Sequence, residues 1–304
     1  MATLARTDIG NESSSGIAHH DVSQMSDAEM RKLENQIARK YSGDVPWGVV
    51  AWGFTNLVLW LALWPLVLTD TIPLWLGFIL STLSLMTVYL PTHEAQHDII
   101  GRPGTKLRWL NELLGHATSW MILLPFGTLR VTHLDHHRHT NDAELDSDIT
   151  TQADTAWQAL LESIRQRQPD AKRAQDYRAS LERAGRTDLI GLTALYKLGF
   201  FALMFAMAWN GLALEAFLLW WLPYQIAMTY IIFFLSWAPH SPGLTKGRYR
   251  NTKSWKSKLG DPLSMWMGYH VVHHLHPYIP LLKTKDAYWE MRPIMEKRGV
   301  KLGM

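Results

Sequence analysis

Most of the histidine in this chain is concentrated in three short stretches. Residues His133 to Thr140 read His-Leu-Asp-His-His-Arg-His-Thr, which sets His133, His136 and His137 at i, i+3 and i+4. On an α-helix, side chains three and four apart share a face, so these imidazoles would project together. Residues His270 to Pro277, His-Val-Val-His-His-Leu-His-Pro, repeat the spacing with His270, His273 and His274. A shorter box, His93-Glu-Ala-Gln-His97, has the i, i+4 spacing. Together the boxes take eight of the fourteen histidines. A lone histidine is more often structural than a ligand, but two HxxHH boxes and one HxxxH beside apolar runs point to a metal site. Imidazole suits zinc, copper, iron and nickel, so ligand type does not choose the metal. Eight ligands exceed what one tetrahedral ion can hold, and two ions are the simpler reading.

His240, in Trp237-Ala-Pro-His240, is a ninth candidate, with a helix-capping role equally open from spacing alone. Metal-bound imidazoles usually have their second nitrogen fixed by an oxygen. Glu94, Asp98, Asp135, Asp142, Asp146, Asp148 and Asp261 flank the boxes and are candidates for that task, although a solvated carboxylate is the ordinary reading of any one. His139 and His276 sit just outside the boxes and read as supporting or structural. His19 and His20 lie in a polar arm and read as solvated. Cysteine is absent, which removes disulfides, thiolate haem ligation and any iron–sulfur cluster held by this chain. Redox chemistry at the metals would therefore draw electrons from another protein or domain. The 30 basic and 27 acidic residues nearly balance, and nucleic acid is not needed to explain the net charge of +3.

Elements able to position these boxes follow from the distribution of apolar residues. Four runs, about 47–68, 72–90, 189–209 and 212–237, are long enough to cross a hydrocarbon core of about 30 Å. Thr69-Asp-Thr71 separates the first two as a hairpin, and Asn210-Gly211 separates the last two. Lys197 lies where it could snorkel toward the starting face. The stretch 113–131 is apolar but short and interrupted by Gly115, Pro125 and Gly127, which predicts an interfacial or re-entrant segment delivering the second box. Residues 141–188 form a polar insert with helical patterns near 157–167 and 171–186. Residues 1–45 read as a mobile arm followed by a short helix opened by the capping box Ser26-Asp-Ala-Glu29, and 46–304 as one membrane domain. The fifteen tryptophans suit membrane interfaces.

Lysine and arginine are missing from the connections near 69–71 and 210–215 and abundant in the other loops. The positive-inside tendency therefore predicts both termini and all three boxes on the cytoplasmic side. No charged-then-apolar leader pattern is read at the start. The expected class is all-α, an integral membrane bundle of four transmembrane helices with a cytoplasmic helical cap carrying the boxes.

His93-Glu-Ala-Gln-His97, His133-Leu-Asp-His-His137 and His270-Val-Val-His-His274, spaced between membrane runs, resemble the membrane fatty-acid desaturase superfamily. That group includes acyl-lipid desaturases and the related carotenoid hydroxylases and ketolases, and the resemblance covers about residues 45–285. It implies two iron ions, O2 as co-substrate, and electrons from a separate ferredoxin or cytochrome b5 with its reductase; zinc can occupy such sites in recombinant material. The ligands it implies are His93, His97, His133, His136, His137, His270, His273 and His274, with His240 matching a ligand near the end of the fourth span.

The expected activity is desaturation of a fatty acyl chain of a lipid, in a bacterial inner membrane. The segments 133–142 and 273–280 are also similar to bacterial carotenoid hydroxylases, so the alternative is a hydroxylase or ketolase of a carotenoid or another hydrophobic substrate. An HxxxH first box, rather than HxxxxH, favours acyl-lipid, front-end or carotenoid-type relatives. No His-Pro-Gly-Gly motif for a fused cytochrome b5 domain occurs. A metal transporter would place its ligands within the spans, where these boxes are not expected.

Overall fold

The computed structural model describes residues 20–241 and 245–304. His19 and most of the predicted arm lie outside the described residues. Among the described residues four helices are long and apolar enough to cross a membrane: Trp47–Leu68, Leu74–Gln96, Asp188–Trp209 and Ala213–His240, with mean hydropathy between 1.5 and 1.8. At 1.5 Å per residue, the 22 residues of the first and third span about 33 Å, which matches the hydrocarbon core. The outward faces of the first three spans carry Leu59, Trp75, Leu198 and Phe205, each at least 60% exposed. Such faces are unfavourable in water and suited to lipid.

The second and fourth spans run further than the apolar stretches that announced them, to Gln96 and His240 instead of about 90 and 237. The added turns carry polar side chains, His93, Glu94, Gln96 and His240, which are buried. Prolines shape both helices. Pro91 cannot donate to the carbonyl of Thr87, and the second span bends at Val88, between segments Leu74–Thr87 and Tyr89–Gln96. The fourth span contains two π-helical stretches, Phe217–Trp221 and Ile232–Trp237, which precede Pro223 and Pro239. A wider turn accommodates the missing N–H and rotates the residues that follow.

Between the spans several polar side chains are satisfied by one another, as a lipid-embedded interior requires. The Trp60 indole N–H donates to Ser81 Oγ at 2.9 Å, and Ser81 Oγ donates to the Leu219 carbonyl at 2.6 Å. Asn56 and Ser84 exchange two hydrogen bonds between the first and second spans. Trp60, Trp120 and Trp220 meet edge to face with centroids 5.1–5.7 Å apart.

Between the second and third spans, the expected interfacial stretch is two helices, Arg108–Met121 and Phe126–His139, joined by a turn with Leu123 at φ 61°. Gly115 allows their close approach: a Cβ there would lie 2.3 Å from the Phe126 ring. The insert forms helices Ala156–Arg165 and Lys172–Arg183, the first opened by a capping box of Thr155 and Gln158. Asp27–Lys40 is opened by the expected Ser26 and Glu29 box. Its apolar stripe of Met30, Ile37 and Ala38 packs on Tyr288, Met291 and Met295 of the helix Thr284–Lys297. Val271, Val272 and Leu275 join the same core, so it also seats the third box.

Candidate metal centre

Four elements bring nine imidazoles together. The second span ends on the first box, Phe126–His139 carries the second, and the short helix His270–Leu275 carries the third. The fourth span ends on His240. His93, His97, His133 and His273 form one group, and His136, His240 and His274 another, each with ligand atoms within 4.8 Å of one another. His137 Nε2 lies 3.2 Å from His133 Nε2 and 3.0 Å from His273 Nε2, which attaches it to the first group. His270 Nε2 lies 3.1 Å from His274 Nε2, which attaches it to the second.

The HxxHH spacing thus serves both groups. In the second box the i, i+4 pair His133 and His137 faces the first group, and His136 the second. In the third box the i, i+4 pair His270 and His274 faces the second group, and His273 the first. The two helices therefore cross-link the groups in opposite senses.

The nitrogens converge more closely than hydrogen bonding explains. His97 to His133, His133 to His137, and His137 to His273 form a chain of Nε2 contacts at 2.8, 3.2 and 3.0 Å. A ring nitrogen carries one proton or one lone pair, so N–H···N bonds cannot satisfy all three contacts. Ligands about 2.1 Å from one ion stand about 3.0 Å apart at a right angle and about 3.4 Å apart at the tetrahedral angle. Buried nitrogens without a partner, His93 Nδ1 and Nε2, His240 Nε2 and His270 Nδ1, point the same way. Burial first, and then repulsion among the rings, hold His97, His133, His137, His270, His273 and His274 well below the ordinary imidazole pKa. Neutral rings keep the lone pairs that a metal requires.

The second group has oxygen partners. His136 Nδ1 lies 2.8 Å from Asp146 Oδ1, and the Asn141 N–H donates to the other carboxylate oxygen at 2.8 Å. Burial lowers the His136 pKa, but the charge and hydrogen bond of Asp146, with the charge of Asp148, together outweigh it and the net direction is up. His240 Nδ1 lies 3.2 Å from the Asn251 carbonyl; the carbonyl can only accept, so the proton sits on Nδ1 and Nε2 is the free ligand atom.

Of the seven carboxylates singled out in the sequence, Asp146 alone contacts a candidate ligand. Asp98 instead accepts from Arg108 at 2.6 Å and Arg130 at 2.9 Å, and Arg130 also donates to Glu112 and to the Ala95 carbonyl. That network fastens the first box to the helix of the second. Glu94 accepts the Leu281 N–H at 2.8 Å, Asp135 and Asp142 pair with Arg183 and Lys246, Asp148 with Arg173, and Asp261 with Lys285. His139 lies 3.6 Å from Asp135. His20 lies 3.4 Å from Glu290.

His276 Nε2 lies 2.8 Å from Glu34 Oε1, and Arg248 and Tyr249 donate to the same carboxylate at 2.9 and 2.7 Å. Burial raises the Glu34 pKa, yet these donors together hold it down to about 2. Glu34 was not identified from the sequence. The available signal was an acid in the stripe Met30, Glu34, Ile37 and Ala38, otherwise the apolar face of its helix.

A cavity of about 550 Å³ between the spans and the insert reaches His93, His133, His136 and His270. Leu129, Phe200, Met228, Ile232 and Leu235 are among its apolar walls.

A profile of the Fatty acid desaturase family matches residues 69–304. Over 87 residues the chain is 30% identical to an sn-1 oleoyl-lipid 12-desaturase of Anabaena variabilis, a stretch covering 29% of this chain and 24% of that protein. Over 103 residues it is 28% identical to an sn-1 acyl-lipid omega-3 desaturase (ferredoxin) of Nostoc sp., covering 34% and 26%. The chain thus spans about a quarter of the length of these curated desaturases. A Beta-carotene ketolase of Paracoccus sp. is 27% identical over 202 residues, 64% of this chain and 70% of that protein. With the profile running through all three boxes and three of the four apolar helices, this chain belongs to the fatty acid desaturase family.

Proposed function

We propose that this chain is a membrane-bound, di-iron, O2-dependent oxidoreductase that introduces a double bond into a fatty acyl chain of a lipid. The observation that carries the reading is the apolar cavity that ends at both histidine groups. His93, His97, His133, His137 and His273 would hold one iron, and His136, His240, His270 and His274 the other. Bound iron supplies O2 activation and abstraction of hydrogen from an unactivated C–H bond.

The chain's own contribution is positioning. Leu129, Phe200, Met228 and Ile232 exclude water from the path of the tail, and the fourth span, rotated by its π-helical turns, presents Leu235 and Ser236 to the cavity before ending at His240. Asp146 and the Asn251 carbonyl orient His136 and His240. Electrons come from a separate carrier in this reading, as the ferredoxin in one relative's name suggests. The arginine- and lysine-rich end of the bundle, which holds the site, faces the cytoplasm of a bacterium in this reading.

A second reading is oxygenation of a carotenoid or another hydrophobic substrate, favoured by the longer stretch shared with the ketolase. Lipid and pigment mass spectrometry of a bacterial host distinguishes them. Loss of two hydrogens from acyl chains in cells expressing the wild type, absent with His136→Ala, supports desaturation. A gain of oxygen on a supplied carotenoid selects the second reading, and no change in either pool sinks both.

A further inference from the structure

The insert helices and their loops, from Ala156 to Asp188, hold seven basic side chains, and six of them pair with a carboxylate at 2.5–3.1 Å. The seventh is Arg167. It faces the cavity, where Nη1 donates to the neutral Thr229 hydroxyl at 2.9 Å and Nε is buried without a partner. Burial, and after it the nearby Arg173 charge, pull its pKa below the ordinary guanidinium value, with Tyr224 opposing. A partly buried cation without a counter-ion is costly to the fold, and such a cost persists most readily where a ligand supplies the missing charge.

Lys197, an exposed residue of the third span, lines the same cavity, and no ion pair is formed by it among the described residues. The amides of Gln168 and Gln225 line it as well. A snorkelling role satisfies the charge of Lys197. It does not account for Arg167, which turns inward to hydrogen-bond the fourth span. Thr229 precedes His240 by eleven residues, roughly 16 Å along the helix. Arg167 therefore meets the fourth span about three turns before the end that carries His240, and both line one cavity that reaches His93, His133, His136 and His270.

We propose that Arg167, assisted by Lys197, binds the oxyanion of an amphiphilic lipid, a phospholipid phosphate or a fatty-acid carboxylate, whose acyl tail extends along the cavity toward the histidines. The planar guanidinium fork suits either oxyanion. This inference rests on the acyl-lipid reading above; a neutral carotenoid offers nothing for Arg167 to bind.

The test is native mass spectrometry of the purified, iron-loaded full chain in detergent, challenged separately with phosphatidylglycerol, oleate and uncharged diacylglycerol. The wild type is expected to retain phosphatidylglycerol, oleate or both in preference to diacylglycerol, and which one is retained identifies the source of the oxyanion. Arg167→Gln should weaken retention of that anion about tenfold or more, since a charge-assisted hydrogen bond contributes about 1.5–3 kcal/mol. Lys197→Gln should weaken it less, and Arg167→Lys should recover part of the loss, with iron content unchanged throughout. Equal retention of the anion by wild type and Arg167→Gln, or a wild-type preference for diacylglycerol, overturns the proposal. Arg167-dependent retention without oxidation of any acyl chain would leave this site standing and remove the proposed reaction.

Discussion

The two histidine groups are built from the same side chain but held differently. In the second, His136 rests on Asp146 and His240 on the Asn251 carbonyl. In the first, no carboxylate or carbonyl oxygen hydrogen-bonds a ring among the described residues, and His93 has no partner on either nitrogen. Its rings are aligned instead by packing and by the Arg130 network, which locks the backbone around the first box. Two rings of one group, His136 and His240, are oriented by hydrogen bonds to the ligands themselves, whereas the other group relies on rigidity of the elements that carry it. This difference predicts that the groups lose metal by different routes.

The largest effects should come from the ligands, and they test whether the groups are separable at all. His93→Ala removes a ring of the first group, and His240→Ala one of the second. Each should lower turnover by more than about 100-fold, because buried neighbours are left aimed at an incomplete site. Iron content measured by atomic absorption should fall toward one ion per chain if the groups load independently. A fall to none in both variants would show that the crossed HxxHH boxes couple them.

Next in size is Asp146→Asn. Removing the carboxylate leaves His136 without its charged partner, and loss of such outer partners typically weakens metal binding or activity by about 10–100-fold. The loss should fall on the second group, read as easier removal of one iron by a chelator while the other stays. Equal release of both would break the comparison. Arg130→Met probes the first group's equivalent. It leaves Asp98 and Glu112 partly uncompensated, but all three side chains are 18–34% exposed, so about 1–3 kcal/mol of stability is at stake. A fall in the midpoint of thermal unfolding, with the iron of the first group released before the second, is the expected outcome.

The sequence made the four spans visible because uncharged runs of about 20 residues have few alternatives, and it made the boxes visible because HxxHH is rare by chance. It could not divide the boxes between two groups, since the i, i+3, i+4 rule says which residues share a helix face and not which neighbour each meets. His133 and His136 share a face in sequence terms yet serve different groups. Helix ends were equally hidden: a polar turn such as Thr92-His-Glu-Ala-Gln96 continues a span only because the rest of the fold buries it, a tertiary fact. Glu34 escaped notice because its partner His276 lies 242 residues away, and Arg167 because whether a cation of the insert has an acid beside it is a tertiary fact.

Glu34 also supplies the control for the comparison. Through His276 it steadies the end of the third box, which contributes to both groups, so Glu34→Gln should not favour release of either iron. Its effect belongs to stability. The carboxyl is buried and its folded pKa, about 2, lies below the ordinary 4.5. A depressed acid contributes stability that is present above the unfolded pKa and lost as pH falls through the folded one. The contribution, about 3 kcal/mol by that shift, should therefore be intact at pH 7 and disappear between roughly pH 5 and pH 2. In thermal melts, wild type and Glu34→Gln should differ most near neutrality and converge on acidification. A difference that stayed constant down to pH 3 would assign the role of Glu34 to shape and packing instead of charge, and the third box would then be held by the Tyr288 and Met291 core alone.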